Sequence, residues 1–334
     1  INFAQLAGHP VIYDILPQTG RFAKVVLSNP NIARWFDVNE LILNLENSTE
    51  VIAQKLDKKF DKDDVEVIKD ICKQTLKNGA GELSENYQNI YDEFDKELIE
   101  LKKTYSKKML EKNYQIRIQK RVRDIVAQIH GEKPNKQFDE NEITKQGEVI
   151  QALIKEGLWP APGGAWCSSG VPVFDRISDC GSYPEFKHYD FKCDDVTDFA
   201  NLDCQTPFYF VFLENGQYNK PVIDFFVDYM KQLQSEYNFD GFRVDHIDHV
   251  VDEVSEKNGV PISYRAPRAV LAKLNMAMKE KIPYFASLAE YMLWDGFLKE
   301  YHDDMKFDIL WGNDIISQSD KTPERIVEDN QDLV

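Results

Sequence analysis

One short stretch concentrates residue types able to do chemistry: Asp240-Gly-Phe-Arg-Val-Asp-His-Ile-Asp-His249. An arginine stands two residues before an aspartate, at the end of an apolar run. On a strand, residues two apart point to the same side. Arg243 and Asp245 are therefore expected on one face, with Phe242 and Val244 on the other. A carboxylate kept ionised beside a guanidinium, at a strand's end, suits the nucleophile of a glycosidase. A second acid, Glu290, closes the next expected strand, Tyr284-Phe-Ala-Ser-Leu-Ala-Glu290. Neighbouring strands lie ~4.8 Å apart, so two acids at adjacent strand ends can reach the ~5–5.5 Å carboxyl separation of a retaining enzyme. In that reading Asp245 attacks and Glu290 donates the proton. Leu288, Ala289 and Met292 flank Glu290 and are expected to give it a partly apolar setting.

Other constellations compete. His246 and Asp248, beside Asp245 and His249, suggest a metal cluster and with it a metal-dependent phosphohydrolase. Side chains alternating along a strand would not all converge, which weighs against it. Five cysteines form no C-x-x-C pair, although Cys167, Cys180, Cys193 and Cys204 crowd one segment. Unpaired thiols, or one disulfide, fit this better than zinc, which usually shows close ligand pairs. Trp159, Trp166, Tyr183 and Tyr189 are candidate platforms for sugar rings, against the plainer reading that they pack.

The elements that must position these residues can be read coarsely. Residues 10–17 read as a buried strand with a turn at Gln18-Thr-Gly. Composition shifts after about Asn47, and the chain to about Gly131 is charged and helical. Asp63 is expected to cap one helix and Gly79 to stop it. Tyr87, Tyr91, Phe94, Leu98, Leu101 and Tyr105 form a heptad-like stripe, predicting a helical hairpin over about 48–131. That hairpin is either a self-packed insertion or a surface for another protein. Residues 132–145 read as loop, and 159–207 as irregular. A helix then starts at Pro221 with Val222, Phe225, Phe226, Tyr229 and Leu233 inward. The strand 239–245, a helix over 267–281, the strand 284–290, a short helix at 294–301 and the strand 307–311 follow. Thr322-Pro-Glu-Arg opens a last helix. Strands alternating with helices predict a parallel α/β sheet.

Gly241-Phe-Arg-Val-Asp245, with His249 after it, resembles the second signature of the α-amylase family (glycoside hydrolase family 13). Ser287-Leu-Ala-Glu290 is similar to that family's acid/base signature. Asp14-Ile-Leu-Pro-Gln-Thr19 resembles its first, with Gln18 and Thr19 in place of the usual Asn and His. The resemblance implies a TIM (β/α)8 barrel, partly represented, with a large mainly helical insertion. Residues 1–19 would hold barrel strand three, 20–205 the inserted domain, and 206–334 strands four to six. Strands one and two would precede Ile1, and seven and eight would follow Val334. The implied roles are nucleophile for Asp245 and acid/base for Glu290. Arg243, His249 and Asp14 would line the sugar site. The family's third acid matches only Asp332, in Asp329-Asn-Gln-Asp332, where a helix surface is the competing reading. Calcium often serves the family, but the Asn that usually supports it is Gln18 here, and no other cofactor is implied.

The expected activity is retaining hydrolysis or transglycosylation at α-glucosidic bonds of an oligosaccharide or α-glucan. The rival is a carbohydrate-binding or scaffolding protein on a catalytically decayed fold, motivated by Gln18, Thr19 and the third acid. A net charge of −17 argues against a phosphate-backbone partner. No window approaches the ~20 apolar residues of a membrane span. The compartment is left open, with the cytoplasm the favoured one.

Overall fold

The structure is a computed structural model that describes residues 1–78, 83–109, 111–160, 205–212, 217–245, 256–257, 260–261, 265–291 and 302–312. Its helices are α1 (Asn2–Leu6), α2 (Lys24–Ser28), α3 (Val38–Leu56), α4 (Lys62–Asn78), α5 (Gln88–Met109), α6 (Lys112–His130), α7 (Gln146–Lys155), α8 (Lys220–Tyr237) and α9 (Arg265–Lys281). Four strands form the main sheet: β1 (Ile12–Ile15), β2 (Gly241–Val244), β3 (Ala286–Tyr291) and β4 (Ile309–Gly312). They lie side by side in that order, and every pairing is parallel. Parallel neighbours need crossover connections, which places this part of the chain in the α/β class. The chain divides into two compact units. One holds Ile1–Thr19 and the described residues from Pro207 onward; the other holds the described residues from Gly20 to Thr206.

In the sheet unit, α8 stops at Asn238, whose left-handed backbone (φ 53°) turns the chain into β2. Asp240 sets the entry to that strand. Its carboxylate accepts from the Val11 amide at 2.7 Å and from Gln5 Nε2 at 2.9 Å, and its own amide donates to the Val11 carbonyl at 2.8 Å. Gly241 follows because nothing larger fits: a Cβ there would lie 2.4 Å from the Ala286 carbonyl oxygen and 2.8 Å from Ile12 Cδ1. Phe242 and Val244 are fully buried on one face, with the Phe285 and Phe307 rings against Phe242 at 5.3 and 6.4 Å. Ser287 and Ala289 of β3 are buried likewise.

The helix at 220–237 is rotated from expectation. Val222 and Phe226 point inward as predicted, joined by Ile223, Val227, Met230 and Gln234. Phe225 and Tyr229 instead sit half-exposed and stack on each other at 6.2 Å. The expected buried strand at 10–17 shortens to β1, and Ile12, Tyr13 and Asp14 are exposed. As the outer strand among the described residues, β1 has a neighbour on one edge only. Gln18–Gly20 is a short strand rather than a turn. Gly79, the helix expected at 294–301 except for His302 beyond it, and the helix from Thr322 lie outside the described residues.

Asp308 joins β3 to the residues before β4. It accepts from the Ser287 amide at 2.8 Å and the Ser287 hydroxyl at 3.0 Å, and pairs with Lys279 at 2.5 Å. Burial pushes the Asp308 carboxyl up, but Lys279 and Ser287 together outweigh it and hold it below the usual aspartate value. A carboxylate lowered in this way stabilises the fold above its unfolded value of ~3.9, and the contribution is lost as pH falls through its native value. Asp308→Asn is therefore expected to cost about 1 kcal/mol at pH 7, a modest figure because the side chain is 45% exposed and partly screened. Urea melts should show that deficit close as the pH falls below the unfolded value of ~3.9 and through the lower native one. A deficit unchanged in acid would contradict the account.

In the second unit, α3 begins well before the composition shift. Asp37 caps it by accepting from the Glu40 amide at 2.9 Å, and also binds Arg121 at 2.6 Å. Asp61, not Asp63, receives the amide at the start of α4. The expected two-helix hairpin is a larger group, because α3 packs against both α4 and α5. Ile90, Phe94 and Leu98 form the buried stripe of α5; Tyr87, Tyr91, Leu101 and Tyr105 lie at its margin. Tyr105 spends its hydroxyl on Ser48 at 2.9 Å. Strand Trp35–Asp37 pairs antiparallel with Leu158–Pro160. Its Trp35 amide and carbonyl are met by the Gln115 side chain, both at 2.8 Å, so a buried glutamine of α6 substitutes for a third strand. Trp159 is buried edge-on to Phe22 at 5.5 Å, which makes it packing and removes it as a sugar platform. Cys72 is a buried free thiol. Cys167, Cys180, Cys193, Cys204, Trp166, Tyr183 and Tyr189 lie outside the described residues.

Candidate active site

The register of the parallel sheet assembles the candidate residues. Asp14 of β1 pairs with Arg243 of β2, which pairs with Leu288 of β3. Continuing that register two residues along each strand brings Asp245 level with Glu290. All four polar residues therefore belong to the face opposite Phe242 and Val244. Asp245 is also tied to the sheet by its amide, which donates to the Ile15 carbonyl at 2.9 Å.

Arg243 is the centre of the cluster. Its Nη1 donates to both oxygens of Asp14 at 2.8 Å. Its Nη2 lies 2.7 Å from Asp245 Oδ1 and 2.7 Å from Glu290 Oε2. Those two oxygens share one nitrogen, so their separation is at most twice that distance. The nearest oxygens of the two acids are thus close enough to be compatible with the ~5–5.5 Å of a retaining carboxylate pair. Burial works against the guanidinium's charge, but Asp14 first, then Asp245 and Glu290, outweigh it and hold Arg243 above the usual arginine range. Side-chain exposure grades from Glu290 at 11% through Asp245 at 31% to Asp14 at 63%. Glu290 is thus the least exposed of the three acids and Asp14 the most.

Two features were not legible beforehand. The sequence predicts Arg243 beside Asp245, and the structure adds that the same arginine binds Glu290. The setting of Glu290 is consequently a charge contact rather than the apolar one its chain neighbours suggest. Asp14 was expected on the substrate, and its carboxylate is found on Arg243. The signal that could have revealed this is the register of β1 on β2, which depends on a pairing across more than two hundred residues. Ser287 faces the opposite side of β3 and serves Asp308, so only Glu290 of that signature reaches the cluster. His249 and the third-acid candidate Asp332 lie outside the described residues, as do His246 and Asp248. Gln18, at the position of the usual calcium-supporting Asn, is buried. Among the described residues no group of three or more His, Cys, Asp or Glu is arranged to hold a metal ion. None of the described helices is long and apolar enough to cross a membrane.

No family model matches this chain, and no curated protein matches it in sequence.

Proposed function

We propose that this chain carries the catalytic face of a retaining glycosidase or transglycosidase acting on α-glucosidic bonds of oligosaccharides or α-glucans. The observation that supports the reading best is the shared Arg243 nitrogen, which gathers Asp245 and Glu290 close together on one face, as a covalent, retaining mechanism would need. A (β/α)8 barrel is the architecture we propose around it. Four parallel strands in chain order, a face buried at Phe242, Val244, Ser287 and Ala289, and acids gathered toward the strands' C-terminal ends all support it.

In this mechanism the carboxylate of Asp245 attacks the anomeric carbon as the bond to the leaving oxygen breaks. Arg243 holds Oδ1 and so orients the carboxylate for the attack. A guanidinium only donates hydrogen bonds, so Glu290 Oε2 is an acceptor from Arg243, and Glu290 gives its proton to the leaving oxygen as that bond breaks. In the second half, water or an acceptor hydroxyl gives its proton to Glu290 and displaces Asp245. Two inversions return the original α configuration.

The reading is tested by incubating the full-length protein with maltooligosaccharides and following the newly formed reducing end by proton NMR. The α anomer should appear first and the β anomer only by mutarotation. An initial β product, or no turnover, would overturn it.

A further inference from the structure

We infer that Asp14 is a positioning residue: it fixes the rotation of the Arg243 guanidinium so that one nitrogen stands between Asp245 and Glu290. The inference rests on the glycosidase reading of the same site. An arginine on a strand has a long side chain that can turn about its last bonds, and three carboxylates compete for it. In this sheet the competition is resolved by position. Asp14 takes Nη1 with both oxygens, each at 2.8 Å. Nη1 is thereby anchored from β1, and Nη2 is left directed along the face toward the strand ends. There it meets Asp245 and Glu290, each at 2.7 Å.

A sugar contact would be a different job. A carboxylate lining a subsite spends its oxygens on hydroxyls, whereas here both oxygens are directed at one cation. The charge on Asp14 also has a distant effect. The charged groups facing Arg243 are Asp14 from β1, Asp245 after β2 and Glu290 from β3, among the described residues; Ile309–Gly312 of β4 holds no titratable side chain. Removing the Asp14 charge leaves the arginine less compensated. Asp245 and Glu290 would then both give up their protons more readily.

The test is Asp14→Asn in the full-length protein, read as kcat and KM on maltooligosaccharides across pH. We expect kcat to fall ~10- to 100-fold with KM changed less than about twofold. The acid limb of the profile reports ionisation of the nucleophile and the basic limb reports loss of the donor's proton, so both limbs should move to lower pH. Asp14→Glu keeps the charge and should leave both limbs in place while still lowering kcat. A merely structural role would not shift the limbs. A raised KM with kcat and both limbs unmoved would make Asp14 a sugar contact and overturn the inference, leaving the glycosidase reading intact. A wild-type protein that turns over no α-glucoside would remove the reading itself and this inference with it.

Discussion

Asp245→Asn in the full-length protein should lower turnover of maltooligosaccharides by at least ~10³-fold, because an amide cannot form the ester with the anomeric carbon. Glu290→Gln should be of similar size on substrates with poor leaving groups, since general acid catalysis contributes ~10²–10⁴-fold. The two losses differ in how they can be repaired. Asp245→Gly leaves a space beside Arg243, and added azide should enter it and give a glycosyl azide of inverted configuration. Glu290→Gly should be rescued by azide with retained configuration, because the covalent half-reaction on Asp245 still occurs. Product analysis distinguishes the pair directly. Full activity in either acid variant, or rescue with the configurations exchanged, would contradict the assigned roles.

Arg243→Met carries the second large effect. It removes the only cation that Asp14, Asp245 and Glu290 share among the described contacts, and leaves three carboxylates on one face. Breaking a fully buried pair costs ~3–5 kcal/mol; here Asp14 is mostly in solvent, so about 2 kcal/mol is the expected loss of stability at pH 7. The sign with pH follows from the carboxylates. Protonation relieves their repulsion in the variant, whereas in the wild type it dissolves favourable pairs. The gap should therefore narrow as pH falls toward the carboxylate range. Denaturation at pH 7 and pH 4.5 reads this out, and an equal gap at both would count against the cluster as drawn. Arg243→Lys should not restore activity. One ammonium cannot present separate nitrogens in two directions.

What the sequence revealed here depended on range. Arg243 and Asp245 sharing a face is a local consequence of strand geometry and needed only a two-residue period. The α/β class came from strands and helices taking turns, again a local pattern. The rotation of α8 was harder, because Phe225 and Tyr229 are as apolar as the residues that displaced them, and only packing chooses the inward face. The start of α3 was hidden by its own apolar first turns, which looked unlike the charged helices after it. Trp159 drew attention as an aromatic near Gly and Pro, though its ring belongs to the core of the other unit. The contact of Arg243 with Glu290 and the pairing of Asp14 with Arg243 were beyond reach for one reason. Both require knowing which strand lies beside which, and at what offset.

That offset has a cost in time during synthesis. Asp14 leaves the ribosome 229 residues ahead of the arginine it will hold. At ~5–20 residues per second the first strand waits roughly 10 to 45 s for its partner. Throughout that interval β1 has no strand beside it, and its unpaired backbone groups are a place where nascent chains can meet chaperones or each other. Translation speed across the intervening segment is thus a determinant of yield, and slowing it should lower the soluble fraction without altering any residue of the finished site.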